Sequence, residues 1–147
     1  MAIQFKPEGY HTVTPFLYVQ DAVKLIDFLK MALGATELMR HSTPEGKVQH
    51  GEIKIGDSII MIADAQGDMT PITSINYLYV EDGDKLYKQA MAAGAKSMRE
   101  PTTEFYGDRT SGIIDPAGNQ WWIATHVEDV SQEELAKRMA AMGDKMH

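Results

Sequence analysis

Residues 14–36, TPFLYVQDAVKLIDFLKMALGAT, and residues 75–96, INYLYVEDGDKLYKQAMAAGAK, state one pattern twice. Val19-Gln20-Asp21 answers to Val80-Glu81-Asp82, and Lys24-Leu25 to Lys85-Leu86, each 61 residues further on. Gly34-Ala35 answers to Gly94-Ala95 at a spacing of 60, so the second helix is one residue shorter. A repeat of this length is one supersecondary unit, and two such units can close around a shared cleft.

Each unit reads as strand, helix and further strands. Residues 14–19 alternate and are rich in aromatic and β-branched types, which predicts a strand. Asp21 caps the helix that follows. Val23, Leu25, Ile26, Leu29, Met31 and Leu33 form its apolar stripe, and Gly34 ends it. A second strand is expected over 36–41, then a turn at Thr43-Pro44-Glu45-Gly46. Residues 48–55 and 58–64 form a hairpin around Gly56-Asp57. In the second unit, 75–80 is a strand, Asp82 caps a helix to about 92, and 96–99 is a short strand. Residues 109–114 and 120–126 form a hairpin around Asp115-Pro116-Ala117-Gly118. Ser131 with Glu134 fits a capping box, which predicts a C-terminal helix over about 131–143.

Bulk composition narrows the function classes. The chain has 147 residues, enough for a single domain spanning 1–147, with unit one at about 11–64 and unit two at about 74–126. Hydrophobic residues make up 44% and charged residues 24%, the balance of a globular protein. There is no cysteine, so disulfides and thiolate metal sites are excluded. Lysine and arginine are scattered and the net charge is −7, which leaves no nucleic-acid footprint. No apolar run reaches a membrane span and the first residues do not read as a signal peptide, so a cytoplasmic protein is expected. Ten methionines fall mostly at helical apolar positions and read as core filler.

Two tandem βαβββ units, followed by Asp115-Pro116-Ala117-Gly118-Asn119 before a final apolar strand, resemble the vicinal oxygen chelate superfamily. This is the glyoxalase, bleomycin-resistance and extradiol-dioxygenase group. The runs Phe105-Tyr106-Gly107-Asp108-Arg109 and DPAGNQWWIATHVEDVS are similar to its PhnB-like branch. The resemblance implies an α+β fold: a cup-shaped, eight-stranded mixed sheet with helices outside, plus the C-terminal helix. It also implies a homodimer. Metal-dependent members place four ligands on the inner face, on the first and last strands of each unit. Those positions fall at Thr14, Met61, Ile75 and Trp122. None is an imidazole or carboxylate, so the expectation is no metal and no cofactor.

Strand alternation sorts the remaining side chains. With Thr14 and Ile75 facing the cup, Phe16, Tyr18, Met61, Tyr77, Tyr79 and Trp122 face it too. His50, Glu52 and Lys54 lie opposite the helix-facing Ile53 and Ile55. Arg109 stands five residues before Ile114, as His50 stands five before Ile55, and joins the candidate ligand-binding set. His50 and Glu52 are the candidate acid–base groups, although His50 also reads as a half-exposed strand residue. Asp108 and Arg109 also read as an internal ion pair, and His126 as the close of the last strand. The reading that follows is a metal-free protein that binds or sequesters a flat or aromatic small molecule. The alternative is a lyase, isomerase or dioxygenase-type enzyme. It would use a displaced metal site built from His50, Glu52 and His126, or metal-free acid–base chemistry.

Overall fold

The computed structural model describes residues 2–143; Met1 and residues 144–147, the ends of the expected domain span, lie outside them. Eight strands and three helices follow the order read from the repeat. Unit one comprises β1 (Phe16–Val19), α1 (Ala22–Leu33), β2 (Thr36–Ser42), β3 (Val48–Ile55) and β4 (Ser58–Asp64). Unit two comprises β5 (Ile75–Tyr79), α2 (Gly83–Ala92), β6 (Lys96–Thr103), β7 (Asp108–Ile114) and β8 (Gln120–His126). The last helix, α3, spans Gln132–Met142. No helix among the described residues is long and apolar enough to cross a membrane.

The fold is α+β, as expected, with its eight strands divided between two four-stranded mixed sheets. Their orders are β1-β4-β3-β2 and β5-β8-β7-β6. In each, the first strand runs parallel to the last and the others are antiparallel. Among the described residues no ladder joins the two sheets. The units meet chiefly where α1 packs on α2, and the Gln89 side-chain amide there donates to the Met31 carbonyl at 3.0 Å.

Local chemistry sets the helix ends. Asp21 adopts a left-handed conformation (φ 60°), and its carboxylate accepts from the Lys24 amide. Asp82 accepts from the Lys85 amide in the same way. Gly34, at φ 69°, closes α1 and donates to the Leu29 carbonyl. Leu25, Ile26 and Leu29 of α1 are fully buried against Ile53 and Ile62, each burial being worth roughly 1.5–3 kcal/mol. Met31 departs from the expected stripe. It lies two residues from Leu29, about 200° around the helix, and is 65% exposed. Among the described residues no methionine is fully buried and only Met91 packs against the core, which Leu, Ile, Val, Ala, Phe28 and Trp121 fill, so the methionines are not the core filler expected.

β6 runs past the expected Arg99 to Thr103 and contains Pro101. It is an edge strand with two register shifts, a setting in which a missing N–H leaves no gap in the ladder. The Asp115-Pro116-Ala117-Gly118-Asn119 turn is a buried polar knot. Asp115 accepts from the Ala117 and Asn119 amides and from Trp121 Nε1 at 2.7 Å. Asn119 Oδ1 accepts in turn from the Ser74 amide and hydroxyl, at the head of β5. Trp121 therefore points into the core while its neighbour Trp122 lies on the other face.

Candidate ligand-binding surface

The pairing register fixes which side chains share a face. On the first sheet Phe16 sits beside Met61, which sits beside Glu52. The Phe16 and Tyr18 rings are 4.8 Å apart and Phe16 is 5.6 Å from the His50 ring. His50 Nε2 and Glu52 Oε2 are 2.8 Å apart. Phe16, Tyr18, His50, Glu52 and Met61 thus form one surface, opposite the face covered by α1.

On the second sheet Tyr77 sits beside Trp122, which sits beside Gly112. A Cβ at Gly112 would lie 2.8 Å from Trp122 Cζ3, so the glycine lets the indole lie flat on the sheet. Tyr77 and Tyr79 pair at 5.3 Å, and Tyr79 is 66% exposed. Beneath them lies the carboxylate expected to pair with Arg109, which takes other partners. Asp108 is 3% exposed. Its Oδ2 accepts from the Tyr77 and Tyr79 hydroxyls at 2.8 and 2.9 Å. Its Oδ1 is 2.8 Å from His126 Nδ1, and His126 Nε2 reaches the exposed Asp129.

Arg109 does not join this surface. The β4 and β8 ladders place Glu52 and Gly112 at equivalent positions, next to Met61 and Trp122. His50 therefore corresponds to Thr110. The hairpin turns at 56–57 and 115–119 differ in length, which defeats counting back from the strand ends. Arg109 pairs with Thr125 on the helix side, and its guanidinium meets Asp84 of α2 at 3.0 Å.

Within one chain the two aromatic sets remain apart. No aromatic pair joins Phe16 or Tyr18 to Tyr77, Tyr79 or Trp122. A cavity of about 650 Å³ lies between the β3–β4 hairpin and the β5–α2 segment, where Tyr77 and Tyr79 reach it. A second, of about 330 Å³, flanks the start of β5 beside Val13 and Ile75.

The four positions at which the resemblance leads one to expect metal ligands offer a hydroxyl (Thr14), a thioether (Met61), an alkyl group (Ile75) and an indole (Trp122). These do not fit a hard or borderline divalent ion. His50 and Glu52 lie on the first sheet and His126 on the second, so the displaced set is not assembled in the chain. Among the described residues no group of three or more His, Asp or Glu side chains converges as ligands.

The Asp108 cluster is polarised. Burial pushes the Asp108 carboxyl up, but hydrogen bonds from His126, Tyr77 and Tyr79 outweigh it and the net shift is downward. Burial, then Asp108, raises the Tyr77 phenol, and the Asp108 hydrogen bond raises Tyr79. The hydrogen bond to Asp108, then that to Asp129, raises the His126 imidazole. A raised imidazole contributes stability fully below its unfolded value of about 6.5 and loses it as pH climbs through the higher folded value. Thermal melts of wild type and His126→Asn should therefore differ most near pH 6 and converge toward pH 9. A gap that widens with pH would contradict the pairing.

Comparison with known proteins places the chain in a family. The model of the Glyoxalase/Bleomycin resistance protein/Dioxygenase superfamily matches residues 10–123. The chain belongs to this superfamily. It is 31% identical to an uncharacterized protein of Mycobacterium bovis over 157 aligned positions, covering 98% of this chain and 99% of the relative. The fold of the superfamily member resembles that of TioX from Micromonospora sp. ML1, with TM-score 0.67, 20% identity, and coverage of 82% and 100% of the two chains. It also resembles a glyoxalase/bleomycin resistance protein/dioxygenase from Nocardioides, with TM-score 0.63, 18% identity, and coverage of 83% and 87%. At these identities the two structures speak to the fold of the superfamily alone.

Proposed function

We propose that this superfamily member is a metal-independent binding protein for a flat aromatic molecule, acting as a homodimer and belonging to the PhnB-like branch. The observation that carries the reading is the Trp122 indole lying flush over Gly112, flanked by Tyr77 and Tyr79. A planar ligand buries its face on that indole and orients its edge by the phenols. Both aromatic surfaces are open in a single chain, with Ile75 69% and Phe16 42% exposed. Apolar faces of this kind are unusual on an isolated protein, and a second copy would cover them and enclose the ligand.

Calorimetric titration with a panel of planar aromatic compounds tests this reading, alongside sedimentation analysis of oligomeric state. At least one compound should bind at one per chain. Trp122→Ala should weaken it by about 2 kcal/mol, the loss of a central aromatic anchor. A panel without a binder would sink the reading. So would a selective rise in the melting temperature of chelator-stripped protein on adding Ni²⁺, Zn²⁺, Mn²⁺ or Fe²⁺.

A further inference from the structure

We infer that the second sheet selects ligands that carry hydrogen-bond donors, aromatic amines above all, because the two phenols flanking Trp122 give their hydrogens to a buried carboxylate and keep only lone pairs for a ligand. The inference rests on the aromatic-ligand reading and specifies which aromatic ligands bind.

A phenol has one O–H to give and lone pairs to accept with. The hydrogens of Tyr77 and Tyr79 both go to Asp108 Oδ2. Neither can turn toward a ligand without leaving a nearly buried carboxylate short of a partner, which is a costly exchange. The imidazole and indole beside them are engaged as well. His126 Nδ1 serves Asp108 and its Nε2 serves Asp129. Trp122 Nε1 lies 3.3 Å from Gln120 Oε1. At the Tyr77–Tyr79 pair the polar atoms left to meet a ligand are therefore phenol oxygens with free lone pairs, set beside three π-faces, while Gln120, whose Oε1 receives the indole N–H, keeps its own amide hydrogens at the edge of this face. The net shift of Asp108 below its ordinary value keeps it ionised and accepting. The electron-rich rings of Tyr77, Tyr79 and Trp122 favour a delocalised cation in the same place. An anionic or purely accepting aromatic would face oxygen against oxygen. Asp108 is thus a positioning residue: it acts on the ligand only through the direction it imposes on two hydroxyl groups.

Three planar tricyclic probes of similar size separate donors from charge and from stacking. Proflavine is a cation with N–H donors, N-methylacridinium has the same charge without donors, and anthracene carboxylate has acceptors only. Calorimetry on the wild-type protein should rank them in that order, with proflavine at least about tenfold tighter than N-methylacridinium, the equivalent of one hydrogen bond. In Asp108→Asn the new amide can donate to a tyrosine oxygen and free a hydroxyl hydrogen, so the gap between proflavine and anthracene carboxylate should narrow at least about tenfold. Should that variant fail to fold, Tyr79→Phe alters an exposed group and should weaken proflavine while leaving N-methylacridinium unchanged. Equal affinity for all three probes, or a preference for anthracene carboxylate, would overturn donor selection and leave the aromatic reading standing. Binding of none would overturn both.

Discussion

Asp115→Ala should lower the stability of the fold by about 3 kcal/mol, and the melting temperature by about 10 °C. The Asp115 carboxylate is 4% exposed and accepts from two backbone amides, the Asn119 side chain and the Trp121 indole. Alanine leaves the Trp121 N–H in a fully buried position with no acceptor. Losing the acceptor of a buried donor costs the whole desolvation of that group. Asn119 loses its anchor at the same time, and through Ser74 it positions the head of β5. The variant should therefore bind planar ligands more weakly as well, although Asp115 lies on the other face from Tyr77. Asp115→Asn restores the shape but turns an N–H₂ toward at least one donor, so it should recover part of the loss. A melting temperature within about 3 °C of wild type for the alanine variant would show that the knot contributes little.

Gly107→Ala should be comparably damaging for a different reason. Gly107 has φ 100°, and a Cβ there would lie 2.1 Å from the Glu128 carbonyl oxygen. The turn cannot yield without breaking the bonds its own carbonyl accepts from the Val127 and Glu128 amides. Together, strain and broken contacts should cost about 3 kcal/mol or more. Gly94→Ala is the control. Its φ is 99°, but nothing lies within 4 Å of the added carbon, so it should show the backbone term alone, about 1–2 kcal/mol. Calorimetric melts of the two variants separate the contributions. Equal losses would mean that the Glu128 carbonyl moves freely. Gly107 also precedes Asp108, so its variant should lose the Tyr77–Tyr79 arrangement along with stability.

Features governed by neighbours in the chain were legible from the residues. Asp21 and Asp82 announced both helices, Gly34 announced the end of one, and alternation put Tyr77, Tyr79 and Trp122 on one face. Features governed by distant partners were not. Asp108 meets groups 18 to 31 positions away, and nothing beside it in the chain distinguishes it from one half of a pair with Arg109. The register of β7 depends on a turn longer than its counterpart in unit one, so Arg109 was matched to the wrong partner position. The separation of the strands into two sheets is a long-range pairing arrangement that neither periodicity nor capping encodes.

The opposite orientations of Trp121 and Trp122 have a practical consequence. The chain holds two tryptophans, adjacent in sequence yet divided between the interior and the candidate binding surface. Its intrinsic fluorescence is therefore the sum of a shielded emitter and an accessible one. A dissolved quencher reaches the second and spares the first. One spectrum thus reports the integrity of the core and the occupancy of the surface through separate components, without an added label.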